Sequence, residues 1–182
     1  MLLANNANVN ATDEQGETPL LLVVADRRAQ RDVVELLLAA NADTNARRKD
    51  GETALHVAVR ASRKDLAELL IANKADVNAK DKDGWTPLHF TTIGDDKLEG
   101  VDKKGIEELL LDHNADVNIK ANGGFSPLHF ASSWGARDKA ELLLAHNADV
   151  NARDNKGDTP LHVVGWRDSE GVAELLRRHG AR

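Results

Sequence analysis

The chain contains no cysteine, only four prolines and only six phenylalanine or tryptophan rings in 182 residues. Without cysteine there is no disulfide framework, no thiolate metal site and no thiol nucleophile. Aromatic residues at 3% are too sparse for a domain with one central core, so the interior must be built from Leu, Val and Ala. There is no basic excess: 24 Lys and Arg face 30 Asp and Glu, a formal net charge of -6. That balance argues against a phosphate-backbone binder, which needs a concentrated basic face. The opening MLLANNANVN has neither the basic start nor the long apolar run of a signal peptide or membrane span. A cytoplasmic protein that binds neither membrane nor nucleic acid is the expectation. The G-x-x-x-x-G-K-[ST], H-E-x-x-H and G-x-S-x-G patterns are also missing, so no catalytic residue is nominated and no enzyme activity is expected.

What is present is repetition. One cassette reads Thr18-Pro19-Leu20-Leu21, Thr53-Ala54-Leu55-His56, Thr86-Pro87-Leu88-His89, Ser126-Pro127-Leu128-His129 and Thr159-Pro160-Leu161-His162. Successive starts are 35, 33, 40 and 33 residues apart. A second cassette follows each: Glu35-Leu36-Leu37-Leu38, Glu68-Leu69-Leu70-Ile71, Glu108-Leu109-Leu110-Leu111, Glu141-Leu142-Leu143-Leu144 and Glu174-Leu175-Leu176. A third, Asn-Ala-Asp-x-Asn, closes the unit at 41–45, 114–118 and 147–151, with variants at 6–10 and 74–78.

Each cassette has a local physical meaning. Thr or Ser ahead of Pro starts a helix: the hydroxyl serves the free N–H groups, and Pro at the first helical position forfeits no hydrogen bond. The Leu pairs form the buried stripe of a second helix. Asn41, Asn114 and Asn147 stop that helix where the chain turns left-handed; Lys74 stands there once and should strain the turn. Gly16, Gly51, Gly84, Gly124 and Gly157 mark the turn ahead of each new Thr or Ser.

Ordered this way, the cassettes resemble the ankyrin repeat family over essentially the whole chain. The resemblance implies an all-α repeat solenoid, an ankyrin-type stack with a hairpin and two antiparallel helices per repeat. One such unit cannot bury its apolar face alone, so residues 1–182 are expected to form a single array. Its divisions are a partial repeat at 1–16 and repeats at 17–51, 52–84, 85–124, 125–157 and 158–182. The resemblance also implies that the cassette His bonds the hairpin backbone.

From the cassette Thr or Ser to the first Leu of the triplet the spacing is 16 in three units, 18 in the first and 23 in the third. The extra residues, within 25–31 and 93–105, therefore fall between the helices. The second insertion reads as a solvent loop, either an added contact arm or an insertion tolerated at a loop tip, the latter being favoured. Met1-Leu2-Leu3 matches the last turn of a second helix, so Val23, Val24, Val33 and Val34 are expected to lack cover. Arg177 and Arg178 make the far end polar, as in a terminal cap. A monomer is expected, with weak self-association through the N-terminal face as the alternative.

Two histidine columns invite a metal reading, His56, His89, His129 and His162, and His113, His146 and His179. Zinc needs ligands converging within about 2.0–2.3 Å, whereas neighbouring units are roughly 10 Å apart. No metal and no cofactor is expected, and the second column suits helix C-termini. In ankyrin-like stacks partners lie on the concave groove made by hairpin tips and first helices. Matching this sequence to that pattern nominates the tip residues Glu17, Glu52, Trp85, Phe125 and Asp158. It also nominates Arg60, Ser133, Trp134, Trp166 and Arg167 late in the first helices. Phe90 and Phe130 are expected to pack inside. Aromatic residues and Arg are common interface hot spots; the competing reading is that these rings merely cover neighbouring stems. The acidic first tips, with rings further along, suggest a partner segment basic at one end and apolar at the other. The expected function is non-catalytic protein–protein recognition. The alternatives are a targeting module of a larger protein and an engineered binder, the latter disfavoured by the uneven spacing and by Leu21, Ala54 and Lys74.

Overall fold

A computed structural model describes residues 7–26, 28, 31–93, 103–165 and 169–182. Among the described residues there are nine helices and no strand. They are α1 (Pro19–Ala25), α2 (Arg31–Ala39), α3 (Ala54–Arg60), α4 (Lys64–Ala72), α5 (Pro87–Thr92), α6 (Lys103–Asp112), α7 (Pro127–Ser133), α8 (Arg137–Ala145) and α9 (Ser169–Arg178). First helices α1, α3, α5 and α7 pack in a row, and each is backed by its own second helix. The longer inter-helix spacings do fall between α1 and α2 and between α5 and α6. Most of the 93–105 insertion lies outside the described residues, as do Met1-Leu2-Leu3.

The core is the stripe the cassettes predict. Leu20, Leu55, Leu88 and Leu128 from the first helices, and Leu70, Leu110, Leu143 and Leu176 from the second, are all 0% exposed. Each such burial is worth roughly 1.5–3 kcal/mol. Hairpins join the layers through backbone bonds between neighbouring tips: Lys49 N–H to Gln15 O (3.1 Å), Lys82 to Asp50 (2.9 Å), Asn122 to Asp83 (2.9 Å) and Asn155 to Gly123 (3.1 Å). The closing Asn of the third cassette is a second clamp. Asn45 Nδ2 donates to Lys74 O (3.1 Å) while its Oδ1 accepts from Asp76 N–H (2.8 Å). Asn10, Asn78, Asn118 and Asn151 do the same one unit along.

The fifth unit departs from the expected helix pair. Residues 160–165 form turns and irregular backbone, and among the described residues α9 is the one helix of that unit. Two β-branched residues followed by Gly165 weaken helix propensity here. Gly165 also donates to Ser132 O (3.2 Å), and a Cβ at 165 would lie 1.9 Å from Ser133 O. The backbone is thus pressed against the end of α7 instead of continuing a helix, and Leu161 stays half-buried.

Lys74 takes the left-handed turn expected of it. Its φ of 67° matches the 64–66° of Asn41, Asn114 and Asn147. A left-handed conformation costs an ordinary side chain about 1–2 kcal/mol, which Asn mitigates. Because the Asn45 clamp uses only the backbone carbonyl of residue 74, Lys74→Asn keeps it. Urea unfolding should show this variant more stable by about 0.5–1 kcal/mol; an unchanged midpoint would mean that the turn carries no strain.

The two ends differ. Val24 and Val34, expected to be bare, are 1% and 0% exposed because they belong to the continuous buried core, and Val23 is half-buried. Val33 is exposed as expected (40%), joined by Leu22 (48%) and Leu36 (63%). At the other end α9 buries Val172, Leu175 and Leu176 and leaves Arg177 and Arg178 in solvent.

Candidate interaction surface

The side formed by hairpin tips and first helices is organised by the cassette histidines. His56 Nδ1 accepts from Thr53 N–H at 3.1 Å and lies 2.9 Å from Thr53 Oγ1, completing a reciprocal capping box. With Nδ1 accepting, the ring proton is on Nε2, which donates to Trp85 O of the next hairpin (3.2 Å). His89 joins Thr86 to Phe125 O (3.3 Å), and His129 joins Ser126 to Asp158 O (3.1 Å). Each imidazole therefore pins the backbone of a nominated tip residue. All three rings are 0% exposed. Burial lowers their pKa, and His89 is pushed down to about 4, so the rings are neutral near pH 7. In the first unit Leu21 replaces the His, and Thr18 Oγ1 accepts from Leu21 N–H at 3.4 Å without a link onward.

On this frame sits a chain of aromatic rings. Trp85 packs against Phe90 (centroids 5.2 Å apart) and Phe130 (4.5 Å), and Phe130 against Phe125 (5.7 Å). Phe90 and Phe130 are not enclosed in the core; like Trp85 and Phe125 they are half-buried. The cluster thus contains four rings from two units, backed edge-on by His56, His89 and His129. Ser133 and Trp134 lie at the end of α7, both exposed, with Trp134 at 45%. Trp134 makes no ring contact with the cluster among the described residues. Trp166 and Arg167 lie outside the described residues.

The charged nominees behave differently. Arg48 stands where three of the other four hairpins carry Asp13, Asp81 and Asp154 and the fourth carries Ala121, and it bridges Glu17 (2.7 Å) and Glu52 (3.5 Å). Arg60 holds the other Glu52 oxygen at 2.6 Å. Glu52 is only 4% exposed. Burial raises its carboxyl pKa against the opposing pull of Arg60. Glu17, Glu52 and Arg60 are therefore joined through Arg48 in one ion-pair cluster, with Glu52 buried at its centre and Arg60 exposed at its edge. Asp158 is half-buried, its N–H held by Asp154 Oδ1 (2.8 Å).

Sequence reasoning missed Arg48 and a second feature, a ladder of cations. Arg47 donates to Lys80 O, Lys80 Nζ to Lys120 O (2.8 Å), and Lys120 Nζ to Arg153 O (2.8 Å). Each binds the carbonyl of the next rung. Both features are visible once the units are aligned column by column, as is Lys139. It stands at a core position, 2% exposed, and donates to Thr91 O (2.6 Å). In the other histidine column, His113 and His179 donate from Nδ1 to the carbonyls of Leu109 (2.8 Å) and Leu175 (2.9 Å) near helix ends. Among the described residues no group of three or more His, Cys, Asp or Glu could hold a metal ion, and no helix is long and apolar enough to cross a membrane.

Stacked hairpins and helix pairs, linked layer to layer by repeated side-chain clamps, define a repeat solenoid. Comparison with known families agrees: the model for ankyrin repeats (3 copies) matches residues 1–81, 21–102, 73–154 and 99–182. The chain belongs to the ankyrin repeat family. It is also similar to the Neurogenic locus Notch protein of Drosophila melanogaster, with 49% identity over 61 residues. That match covers 33% of this chain and 2% of the Notch protein. Repeats of this family generally mediate protein–protein interaction.

Proposed function

We propose that the chain is a non-catalytic recognition module whose protein partner lies across the hairpin tips and first helices, anchored on Trp85, Phe125 and the adjoining Phe90 and Phe130. The observation that carries this reading is the contact among four half-buried rings on one face of a chain that has only six aromatics. Trp134 provides a second, separate anchor. Because Glu17 and Glu52 are already paired with Arg48 and Arg60, the partner is recognised chiefly by apolar surface rather than by a basic end. Affinity comes from a scaffold whose rings are held before binding, which limits the ordering cost. A second reading, a targeting module within a longer protein, gains support from the Notch match, which occupies a small fraction of a much longer chain.

Affinity capture from native lysate tests the proposal. Wild type should retain a protein that Trp85→Ala and Trp134→Ala retain roughly 30-fold less well, the loss of about 2 kcal/mol typical of a hot spot. Glu141→Ala, on the exposed side of α8, should behave as wild type. Circular dichroism checks that all variants are folded. Equal retention by all three variants overturns the proposal.

A further inference from the structure

Arg60 differs from the acidic groups around it in having donors to spare. It closes α3, and its side chain reaches back along that helix to Glu52, just ahead of the helix start, where Nη1 donates to Oε1 at 2.6 Å. A guanidinium carries five N–H donors. Among the described residues the bond to Glu52 is the one hydrogen bond that this side chain makes, and half of the side chain is exposed (50%). Its Nε–H and Nη2 donors are left facing outward.

The nearby carboxylates are committed instead. Glu17 faces Arg48 (2.7 Å), and Glu52 is shared between Arg48 and Arg60. Asp50 Oδ1 accepts from Glu52 N–H (3.0 Å), and Asp81 Oδ1 accepts from Asp83 N–H (2.9 Å) and Trp85 N–H (2.8 Å). At the outer tips, exposed Lys49 and Lys82 offset exposed Asp50 and Asp83. Arg60 is also held before any guest arrives, because the carboxylate that grips it is 4% exposed and fixed by Arg48 as well. Part of the rotamer freedom that an arginine loses on binding is thus already lost in the free protein.

The position of this group relative to the rings follows from the repeat. Glu52 and Trp85 stand at the same place in successive hairpins. Those hairpins are tied by Lys82 N–H to Asp50 O (2.9 Å) and by His56, which joins Thr53 N–H to Trp85 O. The free edge of Arg60 therefore lies one unit, roughly 10 Å, from the ring cluster, a distance that three residues of extended chain cover. Resting on the reading of the Trp85 face as a partner surface, we propose that Arg60 selects the partner. The occupant is an extended segment that sets an apolar side chain on the rings and a carboxylate, three residues away, on the free guanidinium edge. Such a pair is a charge-assisted hydrogen bond with the planar geometry that arginine favours. A basic segment would meet a cation there.

The test selects short peptides, with one fixed leucine and random flanks, on the full chain. The winners are remade with Glu, Gln or Lys three residues from that leucine and titrated by fluorescence anisotropy. Wild type should favour Glu over Gln by about 10-fold, as a charge-assisted bond implies, and the preference should shrink as salt is raised. Arg60→Gln should bind the Glu and Gln peptides alike while keeping the leucine requirement, which also shows that it is folded. If circular dichroism shows that variant unfolded, Arg60→Lys takes its place. It keeps a charge beside Glu52 but no planar edge, and should lose most of the preference. Trp85→Ala should weaken every peptide. Equal affinity of wild type for the Glu and Gln peptides, a preference for Lys, or a Glu preference that survives in Arg60→Gln overturns the role of Arg60 and leaves the ring surface standing. Selection that yields no leucine-dependent peptide, or peptides indifferent to Trp85→Ala, overturns the ring surface and the role of Arg60 with it.

Discussion

Lowering the pH from 7.5 to 4.5 should destabilise this protein well before its carboxylates are generally protonated. The cause is the column of His56, His89 and His129. Each is buried and neutral, with Nδ1 committed as acceptor to the Thr or Ser N–H and Nε2–H committed to the next hairpin. Protonation puts a hydrogen on Nδ1, facing the N–H it was accepting from, and places a charge in a dry interior. In the unfolded chain the same rings titrate near pH 6.5. Between that value and the depressed folded value the unfolded state therefore binds more protons. The contribution to stability is complete above about pH 6.5, falls as the pH drops, and is gone once the pH passes below the folded value. For His89, pushed down to about 4, the loss amounts to about 3 kcal/mol, and His56 and His129 act in the same direction. Glu52 acts in the opposite direction. Its raised pKa means that stability lost to the buried charge is regained as the pH falls through its folded value. Asp65, held low first of all by its hydrogen bond from Arg63, weakens the fold only in stronger acid. Urea unfolding at intervals between pH 7.5 and 4.5 measures the slope, and His89→Gln should flatten it while lowering stability at pH 7.5. If wild type unfolds at the same urea concentration across that range, the rings are not neutral clamps. Because the carbonyls they bind belong to Trp85, Phe125 and Asp158, loosening the column also loosens the proposed partner surface.

What was legible in the sequence is what a single backbone position demands of a single residue type. A left-handed turn after a helix admits Asn or Gly, so Asn41, Asn114 and Asn147 announced the stops, and even the exception at Lys74 was locatable. A helix start needs a cap and tolerates Pro, so Thr86-Pro87 and Ser126-Pro127 fixed the first helices. The period then assigned the core. The less legible features depend on which side chain a neighbouring layer presents. Glu17 and Glu52 looked like solvent-facing tip residues because nothing in one unit shows that Arg48 lies between them. Phe90 and Phe130 looked internal because the position after the cassette His is apolar in every unit. Only the neighbour decides: Val57 is 3% exposed, whereas Phe90 and Phe130 remain half-buried with Trp85 packed against both. The fifth unit carries the full Thr-Pro-Leu-His signal and still forms no first helix among the described residues, since the decisive contact, Gly165 against Ser133, crosses between units.

Replacing Gly124 by alanine should be among the most damaging single changes in the chain, and a comparison among the turn glycines shows why. All five have positive φ, from 76° to 89°, so alanine at any of them incurs a left-handed cost of about 1–2 kcal/mol. Beyond that they differ in what a Cβ would meet. At Gly157 the nearest atom is Arg153 Nη1 at 4.0 Å, and at Gly16 it is Arg47 O at 3.5 Å, an ordinary contact. At Gly124 a Cβ would lie 2.6 Å from Asn155 N and 2.9 Å from Asp154 C, and at Gly84 it would lie 2.8 Å from Asn122 N. Those are backbone atoms of the next hairpin, which cannot rotate away. Relief requires the hairpins to part, breaking the bonds from Asn155 to Gly123 and from Asn122 to Asp83 and pulling Phe125 O or Trp85 O off its histidine. Gly124→Ala and Gly84→Ala should therefore lose about 3 kcal/mol or more, against about 1 kcal/mol for Gly157→Ala. Chemical denaturation of the three variants side by side checks the ranking. The damage should also spread in a direction the single turn does not explain: Gly124→Ala ought to change Trp85 fluorescence through the displaced Phe125 and Phe130, while Gly157→Ala leaves it unchanged. Equal losses at Gly124 and Gly157 would mean that turn conformation alone, and not the close approach of successive hairpins, sets the requirement for glycine.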